Sequence, residues 1–221
     1  MRINKFVATA TGLSRRAADR AITDHRVLVN NQIASIGLQV STSDTVTLDG
    51  GTIKPPEIVT TIMLNKPAGY VCSRSGQGSQ TIYNLLPTKL HYLKPVGRLD
   101  KNSSGLLVMT NDGELANQLT HPRYMKTKIY EVSLDKALQP SDQKMITNNG
   151  VQLDDGPSKL LLTSLEPHGR IWQVTMQEGR NRQIRRTFAA LGYDVQRLHR
   201  TTFGPYRLGN LDESAHRVME A

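Results

Sequence analysis

A single cysteine, Cys72, stands in the 221 residues of this chain. One thiol closes no internal disulfide and builds no thiolate metal cluster, so a reducing compartment, the cytoplasm, is the expected setting. Long apolar runs are missing too. None approaches the ~20 residues that span a bilayer, and the opening MRINKFVATATGLSRR lacks the apolar stretch of a secretory leader, so no membrane partner is expected. The six histidines show no metal-ligand spacing, and low-complexity sequence and internal repeats are absent. Acidic residues are the remaining shortage: Asp and Glu number 19 against 28 Lys and Arg, a net charge of +9. A surplus of that size points to a polyanionic partner rather than to a particular fold.

What is present is the composition of a folded protein, with 38% hydrophobic and 21% charged residues, in a length that suits one full domain or a small module joined to a larger one. Residues 1–48 read as such a module. Ile3, Phe6, Val7 and Ala10 follow helical spacing, and Ser14 can cap a second helix over Arg15–His25 whose Ala17, Ala21 and Ile22 form a narrow apolar stripe. Arg16 and Arg20, four apart, share an exposed face with Arg15, and Arg2 and Lys5 on the first helix extend it. Val27–Val29 and Ile33 flank an Asn30-Asn31 turn, and Val46–Leu48 offers a further strand, so a small antiparallel sheet is expected. Asp49-Gly50-Gly51 and Pro55-Pro56 break both periodicities and mark residues 49–60 as a linker.

The larger domain is expected over residues 61–221. Thr61–Leu64, Leu106–Met109, Ile129–Leu134, Lys159–Leu165 and Ile171–Met176 read as strands, and Leu138–Ile146 and Arg182–Leu191 as helices. Another helix should begin at Asn111, with Glu114 completing a capping box. Strands come in runs without a βαβ repeat, which predicts an α+β domain around a mainly antiparallel sheet. In the late helix Ile184, Phe188 and Leu191 should face the core, Arg182 and Arg186 the opposite side, and Arg185 the boundary. Residues 176–207 hold seven arginines and two acids, so this stretch alone carries +5.

The sharpest local signal is GRLDKNSSGLL over residues 97–107, a polar loop leading into a buried strand. Taken alone, Asp100 is either a loop carboxylate paired with the neighbouring Arg98 or Lys101, or a nucleophile held on a rigid scaffold. Three other blocks stand in order around it: LNKPAGYVCS over 64–73, KIYEV over 128–132, and EGRNRQIRR over 178–186.

Together these blocks closely resemble the pseudouridine synthases, in the branch that carries an S4 domain and acts on single uridines of ribosomal RNA. The first fifth of the chain resembles the S4 RNA-binding domain itself, on Arg2, Lys5, Phe6, Gly12, Ser14, Arg15, Arg16 and Ala18. The resemblance implies that Asp100 is the essential aspartate, that Tyr130 stacks on the target base, and that Arg185 pairs with the aspartate. Ile184 would wall the pocket, Leu99 would shape the aspartate loop, and Arg98 would help hold a flipped-out nucleotide. Arg182 and Arg186 would bind substrate phosphates, Lys66 and Pro67 would be architectural, and Arg2, Lys5, Arg15, Arg16 and Arg20 would hold structured RNA.

Such an isomerisation needs no redox partner and activates no water, so neither an organic cofactor nor a metal is expected. The implied partner is ribosomal RNA or a precursor ribosomal subunit, bound by a monomer. The wording of the later blocks favours large-subunit RNA over small. A noncatalytic assembly or ribosomal-RNA-binding factor is the alternative. His199 reads as positioning or RNA-facing and Cys72 as packed. The end of the chain departs from the family pattern after Leu211, which leaves the edge of the larger domain open.

Overall fold

A computed structural model of the chain describes residues 1–41, 43–56 and 58–219. The fold divides between Val59 and Thr60 into two units.

In the first unit, helices α1 (Ile3–Thr11) and α2 (Arg15–Thr23) stand before a four-stranded antiparallel sheet of β1 (Val27–Val29), β2 (Gln32–Ile33), β3 (Val46–Leu48) and β4 (Gly51–Thr52), ordered β2-β1-β3-β4. The Ser14 hydroxyl accepts from the Ala17 N–H at 3.1 Å, which satisfies one orphan donor of α2 as the sequence predicts. Asn30 and Asn31 both take positive φ, the geometry of a tight hairpin turn that asparagine tolerates. Ile3, Phe6, Val7, Ala18, Ala21 and Ile22 bury together with Val27, Val40 and Val46 as one core. The small alanines of α2 let the two helices approach closely.

The expected 49–60 linker needs correcting. Asp49 and Gly50 form the turn of a second hairpin, Gly51–Thr52 pairs with β3, and Ile53 packs on the core of the unit. Two adjacent positive-φ residues read as a chain break in sequence, but here they reverse the chain and continue the sheet.

The second unit is built on a nine-stranded sheet. Its strands are β5 (Thr61–Lys66), β6 (Lys94–Pro95), β7 (Ser104–Thr110), β8 (Lys128–Leu134), β11 (Leu161–Ser164), β12 (Ile171–Met176), β13 (Val195–Phe203), β14 (Tyr206–Arg207) and β15 (His216–Met219). A separate hairpin holds β9 (Val151–Leu153) and β10 (Gly156–Ser158), and the helices are α3 (Gly113–Thr120), α4 (Pro140–Lys144) and α5 (Gln183–Ala189). The main path runs β11-β12-β8-β13-β7-β5-β15, antiparallel except where β13 meets β7. The larger domain is therefore α+β around a mainly antiparallel sheet.

Central strands carry continuous apolar runs because both their faces are covered. Ile62, Leu64, Leu107 and Met109 enter one core, while Met63, Leu106 and Val108 enter the other. Strand β8 is buried at alternate positions instead, at Tyr130, Val132 and Leu134. At the parallel junction the backbones nearly touch. A Cβ on Gly105, which has φ of +101°, would lie 2.3 Å from the Arg200 carbonyl oxygen, so only glycine fits.

Several local expectations shift. Asp112, not Asn111, caps α3, accepting from the Glu114 N–H at 2.7 Å; the Asn111 side chain instead accepts from the Thr60 N–H at 2.7 Å. Helix α4 ends at Lys144 and gives way to a wider π turn over Met145–Asn149. The departing C-terminal stretch is a strand: His216–Met219 pairs antiparallel with β5 and covers that edge.

Candidate active site

A cleft of about 930 Å³ opens in the second unit between the aspartate loop, the ends of β8 and β13, and the segment entering α5. Its position follows from how firmly that loop is tied down. Lys66, at the end of β5, is fully buried, and its ammonium donates to the carbonyls of Ser103 at 2.7 Å, Pro67 at 2.9 Å and Asp100 at 3.2 Å. Arg185 donates to the Asn102 carbonyl at 2.8 Å and to the Val195 carbonyl at 2.6 Å. The Leu99 N–H points at the Cys72 sulfur, 3.4 Å away, and Ser103 N–H closes the turn on the Asp100 carbonyl at 3.0 Å. Backbone carbonyls are thus satisfied from below, and the Asp100 side chain is left half-exposed toward the cleft.

Tyr130 lies across from it on β8, buried, between Val174 of β12 and Arg200 of β13. Ile184 and Leu99, both buried, line the same cleft, and Arg98 is exposed within it. Asp100, Tyr130, Arg98, Leu99, Ile184 and Arg182 are brought together as expected of one site. Two arginines are placed otherwise. The cation paired with the Asp100 carboxylate is Arg182, at 3.7 Å. Arg185 donates to the loop through the Asn102 carbonyl, not to the carboxylate, and Arg182, at φ +48° ahead of α5, is the arginine that reaches Asp100. Arg186 is not a free phosphate ligand. Its guanidinium donates to Asp155 at 2.6 and 3.1 Å and to the Asn181 carbonyl at 2.9 Å, so its charge is already paired within the protein.

Sequence reasoning gave no site role to three further cations. Arg200 is almost wholly buried, donates through Nε to the Leu106 carbonyl at 2.8 Å, and lies over the Phe203 ring at 4.6 Å; both residues line the cleft. Lys128 donates to the Gln177 carbonyl at 3.0 Å, and Arg180 ties Asp155 to the carbonyls of Gly156 and Pro157. Lys128 was legible, since it stands two positions from Tyr130 on a strand, with Ile129 between, and the two must share a face. Seven cations and two acids line the cleft: Arg98, Lys126, Lys128, Lys159, Arg180, Arg182 and Arg200 against Asp100 and Glu178.

Burial pushes the Lys66 and Lys128 amines down from their ordinary range, with nearby Arg200 adding to the effect on Lys128. It pushes the Cys72 thiol up, so the sulfur is a packed, protonated group rather than a nucleophile. The cytoplasmic placement expected from this cysteine is withdrawn. Cys72 is unpaired because it has no second cysteine and sits against the aspartate loop, a local cause that carries no information on compartment. Among the described residues no helix is long and apolar enough to cross a membrane. No group of three or more His, Cys, Asp or Glu side chains among them is placed to hold a metal ion.

In the first unit Arg2, Lys5, Arg15, Arg16 and Arg20 are all exposed, and none of them forms an ion pair among the described residues. Arg15 makes one weak contact, to the Asn4 side chain at 3.3 Å.

Comparison with known proteins adds the following. A family described as RNA pseudouridylate synthase matches residues 60–190, and the S4 domain matches residues 1–46. An uncharacterized RNA pseudouridine synthase of Aquifex aeolicus (strain VF5) is 38% identical, over 99% of this chain and 90% of its own length. Ribosomal large subunit pseudouridine synthase B of Bacillus subtilis (strain 168) is 35% identical over 95% of this chain and 88% of its own. The protein of the same description from Pseudomonas aeruginosa is 37% identical over 99% of this chain, which spans 59% of that longer relative. A crystal structure of a pseudouridylate synthase superposes on the whole chain and on 96% of its own with a TM-score of 0.72 at 31% identity.

Proposed function

This chain belongs to the RNA pseudouridylate synthase family, in a form that carries an S4 domain, and on that premise we propose that it converts one uridine of large-subunit ribosomal RNA to pseudouridine. One observation carries the reading: the half-exposed Asp100 carboxylate, with Arg182 at 3.7 Å, shares a single cation-rich cleft with the buried ring of Tyr130.

Each part answers a demand of the chemistry. The target atoms are hidden inside an RNA stack, so the nucleotide must leave it at a cost of a few kcal/mol. Binding of the phosphate backbone by the exposed Arg2, Lys5, Arg15, Arg16 and Arg20 offsets that cost. Asp100 then provides the negative oxygen, either attacking the sugar C1′ or removing a sugar proton. By both routes the C1′–N1 bond breaks and its electron pair leaves with the uracil. C5 then bonds to C1′, either as the Asp100 carboxylate leaves that carbon or as Asp100 returns the sugar proton it took; the proton on C5 is lost and N1 takes one up, so the product is an isomer and no co-reactant is consumed.

The freed uracil has to stay and turn. Tyr130 offers a flat face that holds a ring by stacking yet permits rotation in its plane. Ile184 and Leu99 close the apolar sides, and Arg182 stands beside the carboxylate while the surrounding cations favour a phosphate-bearing ligand. The protein is proposed to act as a monomer. Large-subunit RNA is preferred because the relatives from Bacillus subtilis and Pseudomonas aeruginosa carry that description.

The test maps pseudouridines by carbodiimide labelling in ribosomal RNA from a strain lacking the protein. One large-subunit uridine should be unmodified. Purified protein added to precursor subunits or to protein-free RNA should restore it, and Asp100→Asn should bind the RNA without restoring it. A missing site in small-subunit RNA would correct the substrate. Turnover by the Asn variant would remove Asp100 from the chemistry, and no missing site with no restoration would favour the assembly factor.

A further inference from the structure

One wall of the cleft ends in a short, stiff rim. After α3 the chain makes a single 3₁₀ turn over Pro122–Tyr124, with Pro122 in its first position and the Met125 N–H closing on the Pro122 carbonyl at 3.0 Å. The Tyr124 ring meets the His121 ring edge-on, 6.3 Å between centroids, and carries the Arg123 guanidinium 4.5 Å from its centroid. Two residues later the Gly204 N–H fixes the Thr127 carbonyl at 2.8 Å and β8 begins. Met125 is the residue squeezed between these constraints. It takes the left-handed conformation, φ 42° and ψ 46°, which disfavours any residue with a Cβ and persists only where the surroundings impose it.

The side chain held there is out of character with its surroundings. Met125 is 63% exposed, and of the exposed large apolar side chains among the described residues it alone lines the cleft. The other large apolar side chains of the lining, such as Leu99, Tyr130 and Ile184, are buried. A flexible thioether kept in water beside Arg123 and Lys126 suits a ligand with flat apolar faces and phosphates on its edges, the description of stacked nucleotides.

We propose that Met125 enters the RNA stack in the place of the target uridine; this rests on the pseudouridine synthase reading. When the uridine swings toward Asp100 its neighbours stay at the mouth of the cleft and lose a stacking partner. Apolar side chains, methionine among them, fill such gaps in other nucleic-acid complexes. Met125 is a positioning residue: it holds the extruded state open and takes no part in bond making.

The test uses the full-length protein and two hairpins carrying the uridine mapped above. One has 2-aminopurine on the 3′ side of the uridine; in the other that nucleotide is abasic, so no stack remains to be opened on that side. Met125→Ala should lower the single-turnover rate at saturating RNA roughly tenfold on the stacked hairpin, in line with losing part of the unstacking energy. On that hairpin the rise in 2-aminopurine fluorescence should also shrink, whereas on the abasic hairpin the variant should act like wild type. Met125→Leu should restore both rate and fluorescence. A rim that only supports the fold would slow both hairpins alike, and that result, or no loss on either, overturns the wedge. Product from wild type with such a result leaves the activity standing; no product from wild type removes the activity and the wedge with it.

Discussion

The two units use the same residue types in opposite ways. In the first, Arg2, Lys5, Arg15, Arg16 and Arg20 stand in water without an acid. In the second, several cations in and behind the cleft are engaged: Lys66 on three carbonyls, Arg185 on two, Arg186 and Arg180 on Asp155, Arg200 on Leu106. A free guanidinium seeks phosphates, whereas one already bonded holds protein together. The net charge of +9 therefore overstates what the cleft can offer RNA: of the seven cations lining it, Arg98, Lys126 and Lys159 make no side-chain bond among the described residues, while all five cations of the small unit's face stand without an acid.

The contrast breaks most visibly at Lys66. Lys66→Met keeps the volume but leaves the Asp100 and Ser103 carbonyls of the aspartate loop and the Pro67 carbonyl without this donor, so stability should fall by about 3 kcal/mol, the penalty for stranded buried acceptors. Thermal unfolding would read the loss. Pseudouridine formation should vanish with the loop geometry, while RNA affinity in filter binding at a temperature where the protein is folded should hold. Affinity falling in step with activity would mean that the cleft, not the small unit, carries the binding.

A middle-sized effect separates clasp from free charge. Arg186→Ala should lower stability only slightly, since its pair with Asp155 is part-exposed, and should leave the salt dependence of RNA binding unchanged. Arg16→Ala and Arg20→Ala should leave stability within about 0.5 kcal/mol and each lower the slope of log affinity against log salt by about one. The comparison fails if Arg186→Ala changes the slope.

The smallest effect concerns His199. Burial, aided by Arg197, holds its imidazole below the ordinary value of 6.5, and Nδ1 lies 2.9 Å from the Ser104 hydroxyl. The folded protein keeps the ring neutral where the unfolded chain would bind a proton. Its contribution is therefore complete above pH 6.5 and is lost as pH falls through the lowered folded value. Denaturant titrations from pH 7 downward should show this decline, and His199→Gln should flatten it.

Local chemistry was the legible part of the sequence. The Ser14 cap, the Asn30-Asn31 turn and the inward face of α5 depend on residues a few positions apart, and each appears in the fold. The Asp49-Gly50 turn was recognised as a break but not as a hairpin, because a turn and a linker share their composition. At the site, Asp100 and Tyr130 were legible through block spacing. The choice between Arg182 and Arg185 was not, since it hangs on a positive φ ahead of a short helix. Arg186 could not be read as a clasp because Asp155 lies 31 residues away and reaches it only through the β9–β10 hairpin.

The strand order also dictates a timetable for assembly. In the small unit every ladder joins residues within the first 52 positions, so its sheet closes over short loops. In the large unit β5 neighbours β15, about 150 residues later, and β13 must slot between β7 and β8 after both have been made. Loop closure over such separations is slow. During synthesis the RNA-holding unit is therefore complete while Thr61–Lys66 still waits, apolar and unpaired on one edge, for residues 216–219 to arrive.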